Sequence, residues 1–451
     1  MGHKAPPRSL GGPASRARKA EVELLEPRGL DVTVRKHLNG PALTKSRASL
    51  AAGGQGLSSP PSLLPIAGLG YIRMGFEIDF LPVGKGETSG DAIAIRFGDL
   101  LSNPPRQVVV VIDGGFERSG AALVEHIRTH YHTNAVNLLV STHPDKDHVN
   151  GLRVVLREMK VYRLWMHRPW LHAGPISLLC EDRRTTPTSL RKALCEDLEA
   201  AYELEQDALE TLPADKIQEP FAGAWLTWPV IAEGRLTVLG PTQDYYENLL
   251  TDFTSVPAPP PSLKSLLDGL YGARPTPLGL PPLPRATVRE TWHRETLPDP
   301  SVTSAENNSG TILLLQTHGR DFLFTADVGA EALNRAIDFA LAEKLPRGPL
   351  SFVQLPHHGS HHNINRHVFD RLLGKPLSAP PAATSAVVFV SASKDAPKHP
   401  SKRVVNCAIR RGARVIATKG STKYHHRDSP DRGWTTAVPL AFSEDVTDDD
   451  E

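Results

Sequence analysis

The chain has 451 residues, with 51 basic and 50 acidic side chains, 40% hydrophobic residues and 22% charged ones. The apolar fraction is near the globular average, which excludes wholesale disorder, and a net charge of +1 excludes a global attraction to polyanions. Three widely spaced cysteines, Cys180, Cys195 and Cys407, predict neither a disulfide framework nor a zinc knuckle and favour a reducing compartment. Because no apolar run is long enough to span a bilayer and no secretory signal is present, we expect a cytoplasmic protein that does not bind a membrane.

Residues 1–73 differ in composition from the rest of the chain. They are rich in Ala, Gly, Pro and Ser and carry 11 Lys/Arg against 4 Asp/Glu. Such a segment buries too little apolar surface to offset its ordering entropy, so we predict a disordered basic extension. It is either a nucleic-acid-binding arm or, as we favour, a loose tail or an extension upstream of a real start at Met74. We expect one globular domain at 74–440, with a Pro-rich insertion at about 254–304 and an acidic tail at 441–451.

Apolar periodicity predicts alternating strands and helices along the domain. The strands are expected at 76–81, 92–97, 107–113, 136–142, 161–166, 236–239, 311–316, 321–325, 350–355, 386–390 and 414–418. The helices are expected at 121–131, 150–159, 330–342 and 401–411, with one helix or a pair at 188–211. This alternation indicates an α/β layered fold, in which functional groups gather at the carboxyl ends of the strands.

The segment Thr142-His-Pro-Asp-Lys-Asp-His-Val-Asn-Gly151 follows a predicted buried strand. It places His143, Asp145, Asp147 and His148 on one strand-to-helix loop. Imidazole and carboxylate groups suit Zn²⁺ and, with more oxygen, Mn²⁺. The alternative is a polar loop whose side chains cap the next helix. Four ligand-type residues at this spacing favour a metal site.

Two later segments supply further candidate ligands. Asp327 lies just after the strand predicted at 321–325, and His357 and His358 follow the strand predicted at 350–355. A carboxylate can bridge two cations through its two oxygens, and an imidazole can complete the ligand set of the second cation. Taken singly, Asp327 is more typical of a helix N-cap and each histidine of a solvated loop. Together with the first cluster they favour metal ligation.

The ordered motif set resembles the metallo-β-lactamase-fold superfamily, and more narrowly the hydrolase domain of the ComEC/Rec2 family. It comprises the segments Asp79-Phe-Leu-Pro-Val-Gly-Lys-Gly, Gly90-Asp-Ala-Ile-Ala-Ile, Ile112-Asp-Gly-Gly, Thr142-His-Pro-Asp-Lys-Asp-His, Asn307-Asn-Ser, Thr325-Ala-Asp, Leu355-Pro-His-His-Gly-Ser and Lys398-His-Pro-Ser. The resemblance implies an αββα sandwich of two mixed β-sheets flanked by helices. The membrane segments of full ComEC proteins have no counterpart here, so we do not expect a role in moving DNA across a membrane.

The resemblance also implies ligand roles for two divalent metal ions, Zn²⁺ or Mn²⁺. His143 and Asp145 would bind the first metal, Asp147 and His148 the second, and Asp327 would bridge them. His357 or His358 would complete the second site, and we lean toward His357. Asp145 stands where most of the superfamily has His, which implies a harder site that tolerates Mn²⁺. His167, just past a strand, is a candidate for a further ligand.

Catalytic and substrate-binding roles follow from such a site. Two cations can hold a hydroxide at neutral pH, and Asp147 is placed to orient it. His399 either donates a proton to the leaving group or is an ordinary surface histidine. Asn308 and Ser360 either contact a phosphate or are structural turn residues.

The sequence is compatible with three functions. The first hypothesis is a metal-dependent phosphodiesterase or nuclease that acts on a nucleic acid or nucleotide through a metal-bound hydroxide. The second is a metallo-hydrolase of esters, thioesters, lactams or lactones, because one fold supports many chemistries. The third is a non-catalytic binding module that recruits partners through its Pro-rich insertion and basic tail.

Overall fold

The computed structural model describes residues 74–180, 184–229, 231–257, 288–299, 302–346 and 348–446. In these residues two seven-stranded mixed sheets accompany a two-stranded ribbon. The first sheet consists of β1 (Gly75–Phe80), β2 (Ala92–Asp99), β3 (Arg106–Gly114), β5 (Leu138–Val140), β7 (Leu164–Trp165), β8 (Ile217–Gln218) and β16 (Lys423–Arg427). Its strand order is β16-β1-β2-β3-β5-β7-β8.

The second sheet has the order β15-β14-β13-β12-β11-β10-β9. Its strands are β9 (Trp225–Thr227), β10 (Arg235–Gly240), β11 (Ile312–Thr317), β12 (Arg320–Phe324), β13 (Phe352–Gln354), β14 (Ala386–Val390) and β15 (Ala413–Ala417). The ribbon pairs β4 (Ala135–Val136) with β6 (Lys160–Val161).

Helices cover the outer faces of both sheets. They are α1 (Glu117–His126), which a π-helical turn (Ile127–Tyr131) extends, α2 (Lys146–Glu158), α3 (Ala173–Ser177), α4 (Pro187–Asp197), α5 (Glu199–Thr211), α6 (Gln243–Leu250), α7 (Ala305–Asn308), α8 (Ala330–Ala342), α9 (Arg366–Leu373) and α10 (Lys402–Arg410). The αββα sandwich expected from the sequence is confirmed. No helix within the described ranges has both the length and the apolar character needed to cross a bilayer.

The core between the sheets is built from alternate residues of the strands. Phe80 of β1 packs against Phe352 and Phe389 of the second sheet, with ring centroids 5.8 and 5.3 Å apart. Because neighbouring side chains of a strand point to opposite faces, Glu77 and Asp79 point away from this core. Apolar and acidic residues therefore alternate along β1, and this alternation is why the strand could be predicted from the sequence.

Several strands differ from the prediction: the strand expected at 161–166 forms β6 and β7 in separate sheets, and β8 and β9 were not predicted. Two further differences have a clear physical reason. The strand expected at 136–142 is split at Asn137, whose side-chain Oδ1 accepts a hydrogen bond from the Val109 N–H at 2.8 Å. The backbone N–H of Asn137 also donates to the Val109 carbonyl at 2.8 Å, so this residue links β4 and β5 to β3 without extending either strand. Strand β16 was not predicted, because Lys423-Tyr-His-His-Arg427 lacks apolar alternation. The segment is a strand because it pairs with β1.

Close backbone packing positions the loop that carries the first histidine cluster. A Cβ atom at Gly151 of α2 would lie 1.8 Å from the Gly114 carbonyl oxygen at the end of β3. The Gly151 N–H instead donates to the Gly115 carbonyl at 2.8 Å. This approach, which only glycine permits, holds the second turn of α2 against the end of β3.

Most of the predicted insertion, all of residues 1–73 and residues 447–451 lie outside the described residues. The described residues 288–299 of the insertion pack onto α10, where Arg410 forms a buried ion pair with Glu290 at 2.8 Å. The start of the predicted acidic tail also packs there, because the Val446 N–H donates to the Val288 carbonyl and Val446 is fully buried.

Candidate metal centre

The candidate ligands meet at one edge of the sandwich, where strands of both sheets end. Strand β3 runs parallel to β5, and β12, β13 and β14 run parallel to one another. The carboxyl ends of these strands lead into the loops that carry His143–His148, Asp327 and His357–His358. Nε2 of His148 lies 3.4 Å from Oδ2 of Asp327, and Nε2 of His358 lies 3.6 Å from the same oxygen. The three loops therefore share one pocket.

The acidic residues of the first loop face this pocket. Oδ2 of Asp145 lies 3.6 Å from Nε2 of His143, and Oδ2 of Asp147 lies 3.7 Å from Nε2 of His148. Asp145 occupies the N-cap position of α2, yet its side chain makes no capping hydrogen bond. Asp327 is not an N-cap either, since Gly329 holds that position before α8. The capping interpretation of these carboxylates is therefore not supported by the structure.

Hydrogen bonds orient the two histidine rings of this loop. Nδ1 of His143 lies 2.9 Å from the Thr142 hydroxyl, and Nδ1 of His148 lies 2.9 Å from Oδ2 of Asp113. Asp113 also accepts hydrogen bonds from the Thr142 N–H at 2.8 Å and hydroxyl at 2.7 Å. Metal-ligating histidines are held in this way through the nitrogen that does not bind the metal.

The atoms that face the pocket have the chemistry of a cation site. Nε2 of His143, Nε2 of His148 and Oδ1 of Asp327 are buried and have no hydrogen-bond partner among the described residues. Buried polar atoms without partners are rare in proteins and require an explanation. Imidazole nitrogens and carboxylate oxygens whose mutual distances are within 4.8 Å fit a divalent cation such as Zn²⁺ or Mn²⁺.

His357 and His358 lie on a strained backbone. His357, His358 and Gly359 have φ values of 46°, 57° and 79°, in the left-handed region that non-glycine residues rarely adopt. Such strain, of order 1–3 kcal/mol for each residue, concentrates at functional sites. Nε2 of His357 lies 4.0 Å from Oδ2 of Asp327, so both rings approach the bridging candidate.

The surroundings of the two rings differ. Nδ1 of His357 lies 3.0 Å from Oδ1 of Asn363, whose Nδ2 donates to the Asp327 carbonyl at 2.8 Å. Nδ1 of His358 has no hydrogen-bond partner among the described residues, and burial lowers the pKa of this ring to about 3. The geometry brings both histidines to the pocket, and the choice of His357 as ligand stays a prediction.

Charge–charge interactions within the pocket oppose the effect of burial on the pKa values of His148 and Asp327. Burial alone would lower the pKa of His148, but the carboxylates of Asp327 and Asp113 raise it well above its usual value. Burial opposes ionisation of Asp327, yet the neighbouring imidazoles of His148, His358 and His357 hold its pKa well below the usual range. The pocket therefore stabilises positive charge next to Asp327, which a divalent cation would supply.

The other predicted site residues have different surroundings. The ring of His399 lies 6.4 Å from that of His357 and 6.3 Å from that of His358, at the rim of the pocket. Asn308 uses its Oδ1 to accept from the Gly329 N–H at 2.9 Å and its Nδ2 to donate to the Thr303 carbonyl. The hydroxyl of Ser360 accepts from the His362 N–H at 3.2 Å. These contacts favour the turn-residue alternative for Asn308 and Ser360.

His167 lies in a separate cluster. Its ring stacks on Tyr246 at 4.4 Å and contacts Phe221 at 4.9 Å, and burial lowers its pKa to about 4. It belongs to none of the ligand-type groups that the described residues form. The structure does not bring it together with the first loop.

Two carboxylates of the pocket were not among the predicted site residues. Asp113 is the penultimate residue of β3, and its position at the end of a buried apolar run was a signal comparable to that of Asp327. Asp91 stands at the start of the strand that follows the β1–β2 loop and forms a group with His148 and Asp327. No strand-end rule predicts such a residue. Burial, with a contribution from the Asp327 charge, raises the pKa of Asp91 to about 7.

No protein-family model matches this sequence, and no curated protein matches it. Among solved structures, a HARLDQ-motif mutant of the metallo-β-lactamase from Cronobacter sakazakii is 9% identical, with 61% of this chain and 74% of that chain covered and a TM-score of 0.26. A mutant of CmlA β-hydroxylase is 11% identical, with 78% of this chain and 53% of that chain covered and a TM-score of 0.37. A long-form RNase Z from yeast is 10% identical, with 71% of this chain and 38% of that chain covered and a TM-score of 0.32. Likenesses this weak carry no argument about activity.

Proposed function

We propose that this protein is a metal-dependent hydrolase that cleaves a phosphodiester of a nucleic acid or nucleotide. The observation that carries the proposal is the convergence of two histidines and three carboxylates on one pocket. His148 and Asp327 lie at its centre, with His143, Asp145 and Asp147 beside them. The ComEC/Rec2 resemblance supports the phosphodiester as the substrate class.

Lysines on loops that carry or adjoin the pocket residues support an anionic substrate. The loop that carries Lys394 and Lys398 is tied to the β1–β2 loop, where the Ser393 N–H donates to the Ser89 hydroxyl at 3.1 Å. The β1–β2 loop carries Lys85, and Lys146 is exposed beside the ligand candidates of the first loop. Lysines on these loops attract phosphate although the whole chain is nearly neutral.

The residues of the pocket divide into three roles. His143, Asp145, Asp147, His148, Asp327 and His357 or His358 would hold two divalent cations, which polarise the phosphoryl group and activate water when bound. Asp147, which is 30% exposed, faces the pocket and orients the attacking water. His399 at the rim donates a proton to the departing alcohol oxygen.

Hydrolysis of bis-p-nitrophenyl phosphate and of single-stranded DNA, with added Mn²⁺ or Zn²⁺, tests the proposal. His143→Ala and Asp147→Ala should each lower the rate at least 100-fold, because each removes a ligand. His367→Ala and Asp215→Ala serve as matched controls, since both side chains are exposed and neither belongs to a ligand group. Equal rates in the wild type and Asp147→Ala would refute the proposal.

A panel of thioesters, lactones and lactams separates the second hypothesis from the first. Metal-dependent turnover of one of these, with none on either phosphodiester, would assign the pocket to carboxylic-acid derivatives. Purified protein that holds no metal and hydrolyses nothing would favour the binding module.

A further inference from the structure

Asp91 lies on the buried side of the candidate metal centre. It is not among the proposed ligands, and it is neither the residue that orients water nor the proton donor. Asp91 directly precedes β2, and it is only 2% exposed. One oxygen of its carboxylate, one Nε2 or Nδ1 atom of His148 and one oxygen of Asp327 lie within 4.8 Å of one another. Its Oδ1 is buried and makes no hydrogen bond of ordinary geometry with a described residue, although an interaction with the Ser391 side chain lowers the pKa of the carboxyl.

Gln354 determines which oxygen of Asp91 is left for another partner. Oε1 of Gln354 accepts a hydrogen bond from the Thr325 N–H at 3.1 Å, which fixes the orientation of its amide. Its Nε2 therefore donates to Oδ2 of Asp91, at 2.6 Å. One carboxylate oxygen is held by the protein, while Oδ1 is left for a cation.

Gly90 allows Asp91 to reach the pocket. A Cβ atom at residue 90 would lie 2.3 Å from the backbone oxygen of Asp147 and 2.8 Å from Cγ1 of Val83. The start of β2 can approach the first ligand loop this closely only because residue 90 has no side chain.

Asp113 provides a contrast within the same pocket. Both of its oxygens accept hydrogen bonds, from Thr142 and from the His148 ring. That arrangement suits a residue that orients a ligand. Asp91 has one oxygen held and one unpaired, which is the arrangement of a ligand whose position is itself fixed.

We propose that Asp91 is an additional ligand of the metal centre and binds a cation through Oδ1 beside His148 and Asp327. The inference rests on the proposed function, because it needs the same metal centre. Two buried carboxylates side by side are unfavourable unless a positive charge lies between them. A further oxygen ligand also makes the centre harder, which favours Mn²⁺ relative to Zn²⁺.

Asp91→Asn tests this role with little change in shape. Gln354 still needs an acceptor, so the asparagine presents its oxygen to Gln354 and its NH₂ group, which cannot ligate a cation, to the centre. Mn²⁺ titration of the chelator-stripped full chain, followed by the EPR signal of unbound Mn²⁺, should show affinity about 10–100-fold weaker than in the wild type. The metal-free variant should melt at or above the metal-free wild type, because it has lost a buried negative charge.

A purely structural role gives the opposite pattern. Unchanged Mn²⁺ affinity together with a lower melting temperature of the metal-free variant would overturn the inference. Asp215→Asn, at an exposed carboxylate, is the control and should change neither quantity. If the wild type binds neither Mn²⁺ nor Zn²⁺, the proposed function falls as well. If Asp91→Asn loses Mn²⁺ while the wild type hydrolyses no phosphodiester, the role of Asp91 stands and only the substrate class is wrong.

Discussion

Nε2 of His148 lies 3.4 Å from Oδ2 of Asp327, although the two residues follow strands of different sheets. Nδ1 of the same ring lies 2.9 Å from Asp113. His148 thus stands between a carboxylate of the pocket and a carboxylate that orients it. The contact between the sheets at this edge is reinforced by the Thr311 N–H, which donates to the Thr142 carbonyl at 3.0 Å.

Asp113→Asn should weaken metal binding without removing a ligand. The asparagine cannot accept all three hydrogen bonds that Asp113 accepts, so the His148 ring loses its fixed orientation. We expect Zn²⁺ affinity to fall about 10–100-fold, as measured by competition with a chromophoric chelator. An affinity equal to that of the wild type would show that His148 is positioned by other contacts.

His357→Ala and His358→Ala should differ in their effect on the metal. His357 is the predicted ligand because Asn363 holds its Nδ1, whereas Nδ1 of His358 has no described partner. The Zn²⁺ affinity should therefore fall at least tenfold more in His357→Ala than in His358→Ala. The reverse order would assign the ligand to His358.

His399→Ala should discriminate between leaving groups. A p-nitrophenolate departs without a proton, whereas the alkoxide of a DNA strand requires one. Because general-acid catalysis contributes about 10²–10⁴-fold, cleavage of single-stranded DNA should fall by that factor, while hydrolysis of bis-p-nitrophenyl phosphate should change only a few-fold. Zn²⁺ affinity should not change. Equal losses on both substrates would contradict a role as proton donor.

Gly90→Ala should displace the start of β2 from the first ligand loop. The new methyl group would lie 2.3 Å from the Asp147 backbone oxygen, so the backbone has to move. We expect a loss of about 1–3 kcal/mol in the free energy of unfolding, measured in urea, together with weaker Zn²⁺ binding. Gly174→Ala is the matched control, since nothing lies within 4 Å of its added Cβ atom. An unchanged stability of Gly90→Ala would show that β2 adapts freely.

Ionisation of Asp79 should make the free energy of unfolding depend on pH in the acidic range. Burial opposes its ionisation, but His126 and Arg432 lower its pKa below the ordinary 3.8, and Tyr131 donates to it at 2.5 Å. A carboxylate with a lowered pKa stabilises the fold above its unfolded pKa, and the contribution is lost as the pH falls toward the folded pKa.

Asp79→Asn should therefore lower the free energy of unfolding by about 3–5 kcal/mol at pH 7, because Arg432 loses a buried partner. The difference from the wild type should stay constant down to about pH 5 and shrink below pH 4, as followed by urea denaturation. A difference independent of pH would mean that hydrogen bonding, and not charge, accounts for the role of Asp79. Asp215→Asn is the exposed control.

The amino-acid sequence predicted α/β layering and three of the loops that meet at the pocket, and the sandwich followed from the resemblance of its motifs. Apolar alternation in β1 and the β-branched run of β3 depend on neighbouring residues, so they are visible along the chain. The ligand-type residues at 143–148, 327 and 357–358 each follow such a strand, and parallel strands bring their carboxyl ends to one edge.

The roles of Asp91, Asp113 and Asn363 and the position of β16 follow from tertiary contacts. Asp91 reaches the pocket because Gly90 allows a backbone contact with a loop far along the chain, and Asn363 matters because of one ring nitrogen of His357. Strand β16 depends on pairing with β1 rather than on its own residues. Apart from the contact between Asn363 and His357, which are six residues apart, these contacts join segments that are remote in sequence, and no local pattern of residues encodes them.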